Sequence, residues 1–62
     1  MSNKKNIRLA EYIQNACIAA AREGFRDASM SGLCQEGAME SAVSAIEKLD
    51  PELLIRNFER DH

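Results

Sequence analysis

The sequence predicts an all-α fold: an antiparallel helical hairpin plus a short C-terminal helix. Three observations carry that expectation. Apolar residues recur at helical spacing from about Asn6 to Arg26, and again from about Leu33 to Lys48. A polar, glycine-containing break, Asp27-Ala28-Ser29-Met30-Ser31-Gly32, separates the two stretches. Asp50-Pro51-Glu52 then opens a third stretch with the residue types that favour a helix start.

In the first helix, Leu9, Tyr12, Ile13, Ala16, Cys17, Ala20 and Gly24 gather on one broad face when projected at about 100° per residue. Arg8, Glu11, Asn15, Arg22 and Arg26 cover the other side. Ile7, Ile18 and Phe25 form a second apolar stripe that a two-helix hairpin leaves wet. At the break, Ser29 and Ser31 are both candidate N-caps, because a hydroxyl accepts from the open amides of the following turn. The second helix carries an apolar arc of Cys34, Ala38, Met39, Ala42, Val43, Ala45, Ile46 and Leu49. Gly37 within it costs about 1 kcal/mol relative to alanine, and a glycine there marks a close approach between helices. The third helix, about Pro51 to Arg60, sets Leu54 and Phe58 one turn apart.

Composition narrows the function. Residues 1–5 read as a polar tail and 6–62 as a single helical domain, near the lower size limit for an independent core. The 45% hydrophobic content is largely alanine, with no tryptophan and Tyr12 as the one tyrosine. A chain so poor in bulky core residues is expected to complete itself by self-association, as a homodimer with a four-helix core. A net charge of −2 and a pI of about 5.2 speak against nucleic acid and anionic membranes as partners. No apolar run reaches the roughly 20 residues of a membrane span, and no signal sequence is read. The expected setting is cytoplasmic, with Cys17 and Cys34 as reduced thiols.

Cys34 is the candidate reactive thiol. If Ser31 caps the second helix, Cys34 lies three residues inside it, where the partial positive charge of the N-terminus favours a thiolate. The plainer alternative is a small apolar residue at the top of the arc, and no histidine is expected to partner the thiol, since the one histidine, His62, is the terminal residue. Cys17, in mid-helix among alanine and isoleucine, reads as packing. Hairpin register sets the two thiols about 10 Å apart along the axis, too far for a disulfide.

Glu36, Glu40 and Glu47 stack on one face. A divalent-cation site is conceivable there, but a solvated acidic stripe paired with Arg22 or Arg26 is the better expectation. Gly37, Ser41 and Ser44 form a small-residue seam, either a groove for a ligand or partner helix or a tight contact within the fold. Together with Leu54 and Phe58 they make up the candidate partner surface. Phosphate-loop, dinucleotide, zinc and nucleophile-elbow patterns are missing, so no metal or cofactor is expected and conventional catalysis is disfavoured.

The segment Asp27-Ala28-Ser29-Met30-Ser31-Gly32-Leu33-Cys34-Gln35-Glu36-Gly37-Ala38 resembles a group of short uncharacterised bacterial helical proteins with a D-A-x-x-S-G-L-C-x-E-G core. Some of them carry an acetyltransferase label. The resemblance covers the middle third to half of the chain and transfers no catalytic residue. A chain of this length without a strand pattern does not suit an acetyl-CoA-binding mixed sheet. Length and layout are also similar to dimeric helical hairpins that bind paired RNA loops, an analogy of architecture alone. The expected function is a small non-catalytic interaction or regulatory module acting as a homodimer, with itself and another protein as partners. The alternative is a thiol- or ligand-responsive switch at Cys34, ahead of an RNA-binding hairpin or a transferase.

Overall fold

A computed structural model, describing residues 4–61, contains three helices: α1 (Lys4–Met30), α2 (Gln35–Glu47) and α3 (Pro51–Asp61), with no strand among those residues. The all-α class is as the sequence predicts. Of the expected polar tail, Lys4 and Lys5 are already helical, and residues 1–3 lie outside the described residues. At 27 residues, α1 is about 40 Å long. It serves as the spine: α2 packs on its C-terminal half and α3 on its N-terminal half, while α2 and α3 do not touch.

The first helix outlasts its expected end at Arg26 because Asp27, Ala28, Ser29 and Met30 contain no helix breaker. The stop is Gly32, whose φ of 92° lies in the left-handed region that glycine enters without a Cβ penalty. Around it, the Leu33 amide donates to the Ala28 carbonyl (3.1 Å) and the Gly32 amide to the Ser29 carbonyl (3.1 Å). This is the Schellman arrangement, which satisfies carbonyls left open by the last turn. Ser31 adds a hydroxyl bond back to the Asp27 carbonyl at 3.0 Å. Ser29 and Ser31 therefore finish α1 and do not cap α2, correcting the expected roles.

Cys34 caps α2 instead. Its backbone is extended (φ −69°, ψ 170°), its carbonyl accepts from the Ala38 amide at 2.8 Å, and its thiol makes no cap bond. Asp50 behaves as expected of an N-cap: a carboxylate oxygen accepts from the Glu52 amide at 3.0 Å and the Leu53 amide at 3.4 Å. Glu52 sits in the first turn, near the positive end of the helix dipole, and Arg60 in the last, near the negative end.

The α1/α2 contact is made by small residues. A Cβ placed on Gly24 would lie 2.9 Å from the Ser41 carbonyl oxygen, 3.0 Å from the Ala45 Cβ and 3.3 Å from the Ala42 Cα. The backbones approach because nothing stands between them, and Ala38 is fully buried in the same seam. At the other end, Phe58 is buried against Tyr12, ring centroids 5.5 Å apart and planes tilted by 60°. Such a pair contributes about 0.5–1.5 kcal/mol beyond its burial. Phe58 thus docks on the broad face of α1 and leaves the Ile7/Ile18/Phe25 stripe exposed.

The two glycines inside helices predict opposite mutational signs. Gly24→Ala is expected to destabilise by about 1–3 kcal/mol, since the clash is with backbone and with a methyl that cannot rotate away. At Gly37 a new Cβ would meet the Leu33 side chain at 3.2 Å, and Leu33 is exposed enough to move. Gly37→Ala is therefore expected to gain up to about 1 kcal/mol of helix propensity. Urea unfolding of the two variants at one protein concentration checks the pair, and a stabilising Gly24→Ala would contradict the close-approach account.

Candidate functional site

The residues singled out as a candidate site do not converge. Cys34 is exposed at the start of α2, in a shallow groove of about 440 Å³ shared with Gln35, Glu36 and Met39. It stands at the N-cap and not three residues inside the helix, which corrects the expected placement by three positions. Cys17 is half-buried and, like Cys34, a free thiol. The Gly37/Ser41/Ser44 seam is split in the same way. Ser41 is half-buried against Gly24, Gly37 packs beside Leu33, and Ser44 is exposed. Tight packing at Ser41 is what this seam does.

On α3 the two expected docking residues are largely spoken for. Phe58 is buried and Leu54 half-buried; the open apolar side chains there are Leu53 and Ile55. Among the described residues the ion pairs are confined to α3, Arg56–Glu52 at 3.9 Å and Arg60–Asp61 at 3.6 Å, both exposed. Glu36, Glu40 and Glu47 are exposed along the outer side of α2, and neither Arg22 nor Arg26 pairs with them within the chain. No group of three or more His, Cys, Asp or Glu among the described residues is placed to hold a metal ion. No helix is long and apolar enough to cross a membrane, again among the described residues.

What the fold does assemble is an apolar face. Ala21 and Phe25 of α1 and Met39 and Ala42 of α2 line one open groove of about 360 Å³, with Arg22 at its rim. Met39, Val43 and Ile46 share a side of α2 at offsets of four and seven, and Ile18 precedes Phe25 by two turns of α1. All five of these side chains are exposed, Phe25 at 38% and Met39 at 60%. Helical period alone places Met39, Val43 and Ile46 on one apolar arc with the alanines of α2, whereas the structure leaves all three exposed. The missed signal was the width of that arc: Ala45 to Val43 spans about 160° of the helix, more than one neighbouring helix covers.

The chain matches no family model and no solved structure.

Exposure predicts how the thiols behave. Iodoacetamide is expected to modify Cys34 at least about tenfold faster than Cys17 in the native protein, with the difference lost in denaturant. Peptide mapping over a time course measures both rates. Equal native rates would mean that the α1/α2 contact opens readily.

Proposed function

We propose that this chain is a small non-catalytic interaction or regulatory module that acts as a homodimer. Its α1–α2 pair is the antiparallel hairpin that contributes two helices to a four-helix core. The observation that carries this reading is the surface the single chain leaves open. Its accessible area is 5088 Å², whereas a compact monomer of 6.9 kDa presents about 4000 Å². Its radius of gyration is 14.1 Å, against about 10.6 Å for a compact 62-residue chain. Among the described residues three side chains make up the buried core, and two of them are alanines. Within that open surface Ile18, Phe25, Met39, Val43 and Ile46 are exposed, and removing their apolar area from water would favour association by about 25 cal/mol per Å².

A protein partner and a cytoplasmic setting with both thiols reduced belong to the same reading. Nucleic acid fits poorly, since Lys5 and Arg8 share their groove with Glu59 and the chain is acidic overall. A second reading, a thiol-responsive switch, is favoured by one observation. Exposed Cys34 shares a groove with Met39, so its oxidation would alter the edge of the apolar face.

Sedimentation velocity from about 1 to 100 μM tests the proposal under reducing conditions and after alkylation of Cys34. The module reading expects a two-chain species in both samples. A two-chain species that alkylation dissociates would favour the switch, and a well-folded single chain at every concentration would contradict both.

A further inference from the structure

Resting on the homodimer reading, we propose that the mating surface is the α1/α2 face of Ile18, Phe25, Met39, Val43 and Ile46. Its occupant is a second copy of this chain, related by a two-fold axis parallel to the helices. Continuity is the first support. Phe25 and Met39 already line one groove across the two helices, and the remaining three extend it along both. Area is the second. The excess over a compact monomer, taken over the whole chain, is about 1,100 Å², more than the roughly 800 Å² per partner of a standard interface.

Charge fixes the orientation. The outer edge of α2 carries Glu36, Glu40 and Glu47, whereas Arg22 stands at the α1 rim of the groove, and none of the four forms an ion pair among the described residues. A two-fold axis parallel to the helices lays α1 of one copy over α2 of the other, bringing Arg22 toward the partner copy's acidic edge. An axis in the same plane but across the helices would stack α2 on α2 and oppose like charges, which costs free energy. The other candidate cover, α3 of the same chain, is engaged elsewhere through Phe58 and Tyr12. Its exposed Leu53 lies outside the mating face and serves as an internal control.

Sedimentation equilibrium on the full chain, with circular dichroism to confirm helix content, tests this. Phe25→Asp and Val43→Lys are each expected to weaken dimerisation by about thirtyfold or more, the effect of a charge forced into an apolar interface. Leu53→Asp is expected to leave it unchanged. Arg22→Glu is expected to weaken it about threefold, and Arg22→Glu with Glu40→Arg to restore it. A dimer that tolerates both Phe25→Asp and Val43→Lys would overturn the mating face while leaving the homodimer reading intact. Failure of the charge swap alone to rescue would overturn the two-fold orientation. A wild-type chain that stays single would overturn the homodimer reading itself.

Discussion

The close approach of α1 and α2 at Gly24 is the constraint on which the rest of the structure depends. The absence of a side chain there lets the Ser41 carbonyl and the Ala42 and Ala45 carbons reach the α1 backbone. Two helices that meet through glycine, alanine and serine lie near each other but bury little apolar area. The contact therefore fixes geometry more than it supplies stability, and it turns the bulky residues aside. Ile18 and Phe25 on α1, and Met39, Val43 and Ile46 on α2, are displaced from the seam onto one flank of the pair. A seam of larger residues would have separated the helices and drawn that flank inward.

The remaining stability comes from local devices at the helix ends. The left-handed Gly32 and its two returning hydrogen bonds stop α1, and Asp50 starts α3. Phe58, the one large buried side chain among the described residues, ties α3 to Tyr12; its burial is worth about 1.5–3 kcal/mol. Helices of 13 and 11 residues are marginal in isolation, so α2 and α3 need the α1 spine. A second copy laid on the open flank would supply the burial that the single chain lacks. That copy makes the acidic edge of α2 intelligible as well, because those carboxylates form no ion pair among the described residues.

Much of the fold was legible in the sequence. The helical period, the break near Gly32 and the Asp50-Pro51-Glu52 start carry their own local physics, and the stripe of Ile7, Ile18 and Phe25 is exposed as its position on the helix requires. The helix boundaries near residue 30 were harder. Two serines resemble caps for the following helix, and only backbone hydrogen bonding shows that Ser29 and Ser31 complete the preceding one. The site was less legible for a related reason. Composition identifies Met39 and Val43 as apolar without saying which of two flanking directions the neighbour occupies, and it was the glycine at position 24 that selected the alanine side. Helical spacing marks Phe58 as an apolar anchor of α3, but its partner is an aromatic ring on the broad face, a choice made by ring packing rather than by hydrophobic period.

Small-angle X-ray scattering across a concentration series tests the central claim most directly, because it reads mass and shape together. Two chains mated flank to flank predict twice the single-chain mass of 6.9 kDa, with a longest dimension still close to the 44 Å of one chain. Scattering that extrapolates to a single-chain mass at all concentrations, with a radius of gyration near 14.1 Å, would contradict it.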